Sequence, residues 1–540
     1  MKIDELDKTP LGSRLSPAKA IALGAVGVGG LLLITGFFGG RSTLLGGGLE
    51  RIMFAYLIAY AFFLALTVGS LALVVLTTLF RAGWVVAVRR VPETFAANFL
   101  FMGILALPII FVALFGNGML YPWSKDMEQF GEEVHQAEEF LHDLHGGHDD
   151  HAADTPNSIA GQEEDEDGYH NAVFVADTDP HARDGHGGDE HADHGHAHDH
   201  SNQHPAPGMA YPDDPELALK IQQANYTTLL AYMLDYKRYG GMLLGKEQIA
   251  EGKGWLWFHP MAFLARMVIY LAVFTLMGLF YWKKSVAQDA SADAGLTTQR
   301  EWWAPASTIG FALTVTFCSF DLLMSLDPAW YSTMFGVIFF ANSFLTGIAV
   351  TILVCMLLQK QGLLKVVNVE HYHDLGKLLF AMTFFWGYVS FSQFMLIWYA
   401  SLPETTYWFE IRGGTTVSTA PQYGSAWSWM ILLLLFGHLL IPFGFLLSRH
   451  VKRNMTCLAI ACVWMLVMVY LDLFWYVMPV YESPGFTLGL PELGAVLLVG
   501  GAVVWRFLKR FGENAPVAHN DPRISETTAL DTNVWAPIYH

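Results

Sequence analysis

Residues 305–330, PASTIGFALTVTFCSFDLLMSLDPAW, decide how this 540-residue chain folds. The first part, Pro305–Met324, is almost wholly apolar and has the length at which a helix crosses about 30 Å of hydrocarbon. Two carboxylates, Asp321 and Asp327, stand at one end of this helix. An ionised aspartate at the centre of a membrane helix costs at least roughly 2.5–3.5 kcal/mol. The stretch therefore predicts a membrane span whose acidic residues have a partner or a task.

The composition agrees with a chain that lies mostly inside a membrane. Hydrophobic residues make up 53% of the sequence and charged residues 15%, whereas soluble domains carry about 25% charged residues. We therefore predict an all-α polytopic membrane protein of ten transmembrane helices in a lipid bilayer, with no nucleic-acid partner. The predicted spans are Ala18–Phe38, Met53–Phe80, Phe95–Phe115, Ala262–Trp282, Pro305–Met324, Met334–Leu358, Leu378–Ala400, Trp427–Leu447, Thr456–Met478 and Leu490–Leu508.

The net charge of −18 belongs to one loop rather than to the whole chain. Residues 117–258 hold 28 acidic and 7 basic residues, and the rest of the chain holds 21 acidic and 24 basic residues. The chain thus divides into an N-terminus with spans 1–3 (1–116), an acidic loop (117–258), spans 4–10 (259–510) and a C-terminal tail (511–540).

Lysine and arginine set the orientation of membrane spans, because they accumulate in cytoplasmic loops. With the N-terminus inside, the inner segments hold twenty of these residues, and the short outer loops hold only Arg41, Arg51 and Arg412. We therefore expect both termini in the cytoplasm and the acidic loop outside the cell membrane.

The acidic loop holds 14 of the 21 histidines. Its middle is polar and of low complexity, which predicts disorder, whereas residues 127–144 and 215–239 have the apolar spacing of helices. The histidines of this loop suit two roles, weak metal binding or a solvated insertion that binds metal only incidentally. No fixed ligand spacing emerges, which favours the solvated insertion. The weak candidates for metal ligands are His191, His194, His196, His198 and His200.

The four cysteines, Cys318, Cys355, Cys457 and Cys462, all fall within predicted spans. None has the spacing typical of haem attachment, of an iron–sulfur cluster or of a zinc site. We expect the chain to carry no covalently bound cofactor.

Several ionisable residues lie inside the predicted spans, and each can be given a depth at 1.5 Å per helical residue. Arg266, Asp321 and Asp472 share one depth in the outer leaflet, and His438 lies below them near the middle. This pattern suits a proton relay or a site at which a quinol hydroxyl releases its proton. Asp321 and Asp472 would accept protons, Arg266 would be their charge partner, and His438 would be the relay. A structural ion pair for Arg266 and a hydrogen-bonded packing role for His438 are the alternatives.

Further candidates lie at the two ends of the spans. Asp327 stands at the outer boundary of span 5, and Glu404 stands at the outer mouth of span 7. The inner mouth of span 7 carries His373, Asp374 and Lys377, which we interpret as an entrance for protons.

An ordered series of motifs runs from about residue 259 to residue 412. The series consists of FLAR at 263–266, KSVAQD at 284–289, FD at 320–321, DP at 327–328, YSTMFGV at 331–337, YHDLGKLLF at 372–380 and FSQFMLIWYASLPE at 391–404. This series resembles the NrfD-like family, the membrane subunits of polysulfide reductase, and most closely the NrfD-like subunits of bacterial alternative complex III. The matching polar positions are Arg266, Asp321, Asp327, His373, Asp374, Lys377, Gln393 and Glu404.

The resemblance implies a fold of two four-helix bundles with extra helices at the flanks. It implies a bacterial inner membrane and a quinol:cytochrome c oxidoreductase that uses menaquinone or ubiquinone. The implied partners are a paralogous NrfD-like subunit, an iron–sulfur subunit, and multihaem and monohaem c-type cytochromes. In that arrangement haem c and the iron–sulfur clusters belong to the partners, and this chain is not catalytic alone.

Two other functions remain open at the level of the sequence. One is a metal-ion transporter with a histidine-rich external loop, and the other is a membrane scaffold without a redox or proton role. Against the transporter, no span carries a histidine and a carboxylate four residues apart.

Overall fold

The computed structural model describes residues 10–38, 48–116, 118–124, 255–328, 330–413, 425–481 and 489–528. The chain divides into two compact units, Met1–Ala137 with Asn225–His540, and Glu138–Ala224. The second unit, the histidine candidates of the acidic loop and its expected edge helices lie outside the described residues. The side chain of Glu404 also lies outside them, although its backbone belongs to the helix Pro403–Glu410.

Ten helices are long and apolar enough to cross a membrane, which confirms the prediction of an all-α polytopic membrane protein. The described residues contain no β-strand. We number the helices as spans 1–10. They are Ser16–Phe38, Gly48–Leu79, Arg90–Phe115, Pro260–Ser291, Ala294–Leu326, Met334–Lys360, Val369–Ala400, Trp427–Leu447, Met455–Tyr481 and Leu490–Gly512.

Spans 3, 5 and 8 are interrupted, which the hydropathy pattern did not predict. Span 3 breaks at Ala97 and Asn98, between the helices Arg90–Ala96 and Phe99–Phe115. Span 5 leaves the α-helix after Leu322 and finishes in a 3₁₀ turn. Span 8 contains a π-helical segment, Leu434–Leu440, in its middle. The interruptions of spans 5 and 8 lie beside the two polar clusters described below, and the interruption of span 3 lies beside a cavity lined by Asn98, Arg506 and Arg510.

The spans form two four-helix bundles with a pair of helices at the flank. Spans 2, 3, 4 and 5 pack on one another, and spans 6, 7, 8 and 9 form the second bundle. Span 2 packs along span 6 and joins the two bundles. Spans 1 and 10 pair with each other and lie against span 2. A buried ion pair between Arg51 and Glu492, at 2.9 Å, fixes span 10 to the first turns of span 2.

Two glycines let spans 2 and 6 approach backbone to backbone. A Cβ added to Gly69 would lie 1.6 Å from the carbonyl oxygen of Ser343, and one added to Gly347 would lie 2.4 Å from the carbonyl carbon of Gly69. Small residues are common where membrane helices pack closely. This contact sets the position of span 6, which contributes Asn342 to the second bundle.

The junctions at residues 79–90, 291–294, 360–369 and 447–455 and the end of span 10 lie at one end of the bundles, which we call the basic end. Residues 513–528 fold back over this end. The hydroxyl of Thr527 donates to the carbonyl of Gly83 at 2.7 Å, and Arg523 lies 3.5 Å from a carboxylate oxygen of Glu301. The C-terminal segment is therefore part of the packed structure up to the last described residue.

Candidate functional site

The first polar cluster joins spans 4 and 5 at the end opposite to the basic end. Arg266 and Tyr270 lie one turn apart on span 4 and face Asp321 on span 5. The Nε of Arg266 donates to Oδ2 of Asp321 at 2.7 Å, and Nη2 donates to Oδ1 at 3.0 Å. The hydroxyl of Tyr270 donates to Oδ2 at 2.8 Å. Asp321 is 1% exposed and Arg266 17%, so the ion pair is buried on one side only.

Aromatic residues hold Arg266 and the end of span 5 in place. Arg266 donates to the carbonyl of Trp257 at 2.7 Å and lies over its ring, 4.3 Å from the centroid. The hydroxyl of Tyr121 donates to the carbonyl of Leu322 at 3.0 Å. The indole of Trp123 donates to the carbonyl of Ser325 at 3.1 Å. These bonds satisfy carbonyl groups that the end of an α-helix leaves without a partner.

Asp327 occupies a different position from Asp321. It follows the 3₁₀ turn Met324–Leu326 and is 1% exposed. Its carbonyl accepts from the backbone N–H of Trp330 at 3.2 Å, and its own N–H donates to the carbonyl of Met324 at 3.1 Å. Through its backbone, Asp327 shapes the connection from span 5 to span 6.

The second polar cluster takes one residue from each helix of the second bundle: Asn342, Trp386, His438 and Asp472. We call it the Asp472 cluster. The side-chain amide of Asn342 donates to Oδ2 of Asp472 at 2.6 Å, and the indole N–H of Trp386 donates to the same oxygen at 3.0 Å. Asp472 is 1% exposed, and it forms no ion pair with any described residue. The cluster therefore holds a carboxyl group by neutral donors alone.

His438 completes the Asp472 cluster by stacking rather than by a hydrogen bond. Its ring lies on the indole of Trp386, with centroids 3.8 Å apart and 22° between the planes. The residue is fully buried, and neither ring nitrogen has a hydrogen-bond partner among the described residues. His438 lies in the π-helical segment of span 8, and such segments are frequent at functional sites.

Arg266 is the charge partner of Asp321, and the expectation that it would also pair with Asp472 is wrong. Asp472 lies on span 9 in the second bundle, and its carboxylate oxygen Oδ2 is bonded to spans 6 and 7. Equal depth on two helices does not bring them together when the helices belong to different bundles. The candidates thus form two separate clusters.

The expected inner entrance lies at the start of span 7, at the basic end, among ion pairs of its own. Lys377 lies 2.6 Å from Asp374, and Nδ1 of His373 lies 3.8 Å from Glu370. Arg453 lies 2.7 Å from Glu370. Thirteen helical residues separate His373 from the Asp472 cluster on span 7, which is about 20 Å.

The sequence interpretation missed a buried charge network at the basic end. Arg89 lies 2.8 Å from both Glu93 and Asp521, and Arg300 lies 3.9 Å from Asp521. A cavity of about 20 Å³ beside Arg89 and Arg300 has room for about one water molecule. The sequence carried a sign of this network, because acidic residues stand among the basic residues of the inner segments. The sequence interpretation used those basic residues only to set the orientation of the spans.

Asp521 is the charged centre of this network. Burial alone would raise the pKa of its carboxyl group, but Arg89, the backbone N–H of Arg523 and Arg300 outweigh burial and lower the pKa below its usual value. Burial by itself would lower the pKa of Arg89, while Glu93 and Asp521 raise it above the usual value. Both groups are therefore charged at neutral pH.

Other matched positions make ordinary contacts between helices. Gln393 on span 7 accepts a hydrogen bond from the hydroxyl of Ser332 at 3.0 Å. Among the described residues, no group of three or more histidines, cysteines and carboxylates is placed to hold a metal ion. Searches against models of protein families and against curated proteins found no match to this chain.

Proposed function

We propose that this chain is an integral membrane subunit of a respiratory quinol:cytochrome c oxidoreductase, and that its Asp472 cluster exchanges protons within the membrane. The observation that carries the proposal is the contact of both Asp472 and His438 with Trp386, in the interior of the second bundle. The motif series between residues 259 and 412 supports the same assignment, since it resembles the NrfD-like membrane proteins of bacterial alternative complex III.

A carboxyl group without a cation beside it is expensive inside a membrane, so it persists where it has a use. Asp472 keeps two neutral donors, from Asn342 and Trp386, that orient it in either protonation state. A purely structural aspartate would be expected to have a basic partner, as Asp321 has in Arg266. The contrast within one chain favours proton exchange at Asp472 over a packing role.

The geometry gives the members of the cluster separate roles. Asp472 accepts and releases the proton, and Asn342 and Trp386 fix its orientation. His438 offers two ring nitrogens that have no hydrogen-bond partner among the described residues, so it can hold a proton at either nitrogen. Trp386 connects the two proton carriers, because it bonds to one and stacks on the other.

Quinol, as menaquinol or ubiquinol, is the proposed electron donor of the complex. Asp321 accepts from three donors, and an ionised carboxylate offers about four acceptor directions. One acceptor direction is therefore left for a quinol hydroxyl. The rings of Trp257 and Phe317, with centroids 6.1 Å apart, supply apolar surface nearby. Iron–sulfur clusters and haem c would be carried by the partner subunits, as would the electron transfer itself.

The test uses the complex purified from native membranes with a tag on this chain. Mass spectrometry and haem absorption should identify c-type cytochromes, an iron–sulfur protein and a second ten-span subunit. Asp472→Asn should leave this composition and the haem content intact, and should reduce proton movement coupled to quinol oxidation by about tenfold or more.

Asp293→Asn is the matched control for this substitution. Asp293 is exposed and accepts from the backbone N–H of Gly295 at 2.8 Å, a capping role that asparagine also fills. The control should couple like the parent complex. A chain that purifies alone and loaded with zinc or copper would refute the respiratory assignment and favour the metal transporter. Unchanged coupling in an assembled Asp472→Asn complex would remove Asp472 from the proton path.

A further inference from the structure

A cavity opens at the basic end between span 3 and span 10, at the break in span 3. Its volume is about 190 Å³, far more than one water molecule needs. Its polar wall consists of Asn98, Arg506 and Arg510, and its apolar wall includes Phe101 and Trp505. It lies apart from both clusters that the proposed function uses, so a ligand bound in this cavity would be independent of that function.

The two arginines stand four residues apart on span 10, so their like charges face the same cavity and destabilise the helix. Arg510 is held in place: it donates to the carbonyl of Ala97 and to Oδ1 of Asn98, and it lies over the ring of Trp282 at 4.9 Å. Arg506 forms no hydrogen bond or ion pair with any described residue. An anion between them would relieve the repulsion and pair Arg506.

Asn98 provides an independent sign of a ligand. The residue is 1% exposed, and its side-chain Nδ2 has no hydrogen-bond partner in the described part of the chain. The orientation of the amide is fixed, because Arg510 donates to Oδ1 and the N–H₂ group must point elsewhere. A buried amide donor without a partner destabilises the folded state unless something accepts from it. Asn98 and Arg506 thus both line this cavity, and both carry donors from which no described residue accepts.

The other side of the cavity is apolar and continues along the lipid-facing surface. Leu100 and Ile104 line it and are 67% and 57% exposed, one turn apart on span 3. Trp505 lies at the level of the arginines, which is where indoles concentrate at membrane interfaces. A cavity with arginines on one wall and an apolar surface beside them matches a molecule with a phosphate group and acyl chains.

We propose that this cavity binds the phosphate of an anionic glycerophospholipid. Arg506 carries the charge pairing, Arg510 and the amide of Asn98 donate to the phosphate oxygens, and the acyl chains follow Leu100 and Ile104. Basic pockets between membrane helices bind anionic head groups in this manner. The exposed Glu513 is the carboxylate that acts on Arg510, and it lies beyond the end of span 10.

The experiment compares lipids and variants on the purified complex or full chain in nanodiscs. The probes are phosphatidylglycerol, phosphatidylcholine and inorganic phosphate in detergent, and the readouts are bound lipid by native mass spectrometry and the thermal midpoint of unfolding. We expect phosphatidylglycerol to be retained and to raise the midpoint. We expect neither phosphatidylcholine nor inorganic phosphate to raise it.

Arg506→Gln should weaken phosphatidylglycerol binding about tenfold, because it removes one charge-assisted contact. Lys509→Gln is the matched control, since Lys509 is a basic, exposed neighbour on the same helix and does not line the cavity. Equal losses in both variants would refute a specific site in favour of general attraction to a basic surface. An equal rise in midpoint with inorganic phosphate alone would refute a lipid as the occupant.

Asn98→Ala leaves all charges in place and should also weaken phosphatidylglycerol binding. Unchanged binding in this variant would contradict the proposed contact between the Asn98 amide and the phosphate.

Discussion

Trp386 donates its indole N–H to Asp472 at 3.0 Å while its ring is stacked on His438. One side chain therefore fixes the distance between two groups that can carry protons. Asn342 supplies the second neutral donor, so three helices hold the aspartate in the bundle interior and a fourth presents the imidazole.

Trp386→Phe separates the two contacts of this indole, because it keeps an aromatic ring and removes the N–H donor. The lost hydrogen bond should lower the unfolding free energy by about 1 kcal/mol. The substitution should slow proton exchange more than this cost suggests, since Asp472 loses one of the two donors that orient it. Proton movement and thermal unfolding of the assembled complex check both effects. Trp429→Phe, at an indole that is 71% exposed, should behave as the parent, and equal loss in both variants would contradict the role of the N–H.

Asp321→Asn breaks the ion pair with Arg266 and leaves the arginine partly buried without its carboxylate. The loss should be about 3 kcal/mol of unfolding free energy, at the low end for buried pairs because Arg266 retains 17% exposure. Thermal unfolding of Asp321→Asn, Arg266→Gln and the double variant measures the coupling between the two charges. We expect the double variant to lose less unfolding free energy than the two single variants lose together. Additive losses would mean that the pair contributes no coupling energy.

Gly69→Ala should separate spans 2 and 6, because a Cβ there would lie 1.6 Å from the carbonyl oxygen of Ser343. Neither backbone can yield by a rotamer change, so we expect a loss of about 3 kcal/mol or failure to assemble. Gly27→Ala is the control, since a Cβ there meets no atom within 4 Å. Yield and thermal midpoint after membrane extraction distinguish them. A Gly69→Ala protein with the parent midpoint would contradict the close contact.

The stability of the basic end should depend on pH through Asp521. Its pKa is lower in the folded protein than the ordinary value of 3.8, so the unfolded chain binds the proton more tightly. The stabilisation is therefore complete above about pH 4 and is lost as pH falls through the lower, folded-state pKa. Asp521→Asn should cost about 3 kcal/mol at neutral pH, and its thermal midpoint should approach that of the parent as pH falls. Glu526→Gln, at a carboxylate that is 54% exposed, should follow the parent at every pH. A constant gap between Asp521→Asn and the parent would contradict the assignment.

The spans were predictable because crossing the bilayer requires a certain length and an apolar composition, and the sequence of each segment shows both. The sequence of a single segment does not show how the spans pack. Arg266 stood at the depth of both Asp321 and Asp472, and only the assembly of two bundles decides which aspartate it meets. Depth is a property of one helix, whereas contact also requires the rotation of each helix and the order of the helices around the bundle.

His438 shows the same limit at a smaller scale. An ideal α-helix through Leu434–Leu440 assigns each side chain a direction, and the π-helical segment changes these directions. No residue in that segment marks a π-helix by type. The basic-end network could have been predicted in part, since Glu93 and Asp521 are carboxylates in the inner segments, where the basic residues of the chain accumulate. Pairing each such acid with a basic neighbour would have indicated that the C-terminal segment packs against the spans.

The contact of Gly69 with Ser343 and Gly347 also bears on how the two bundles can move. Alternating-access transporters of the rocking kind swing one helical bundle against another about a central site. At this contact main chain lies against main chain, and no side chain there can change rotamer to let spans 2 and 6 tilt. Such a contact resists rocking of one bundle against the other, so under the proposed function protons would pass while spans 2 and 6 stay in place.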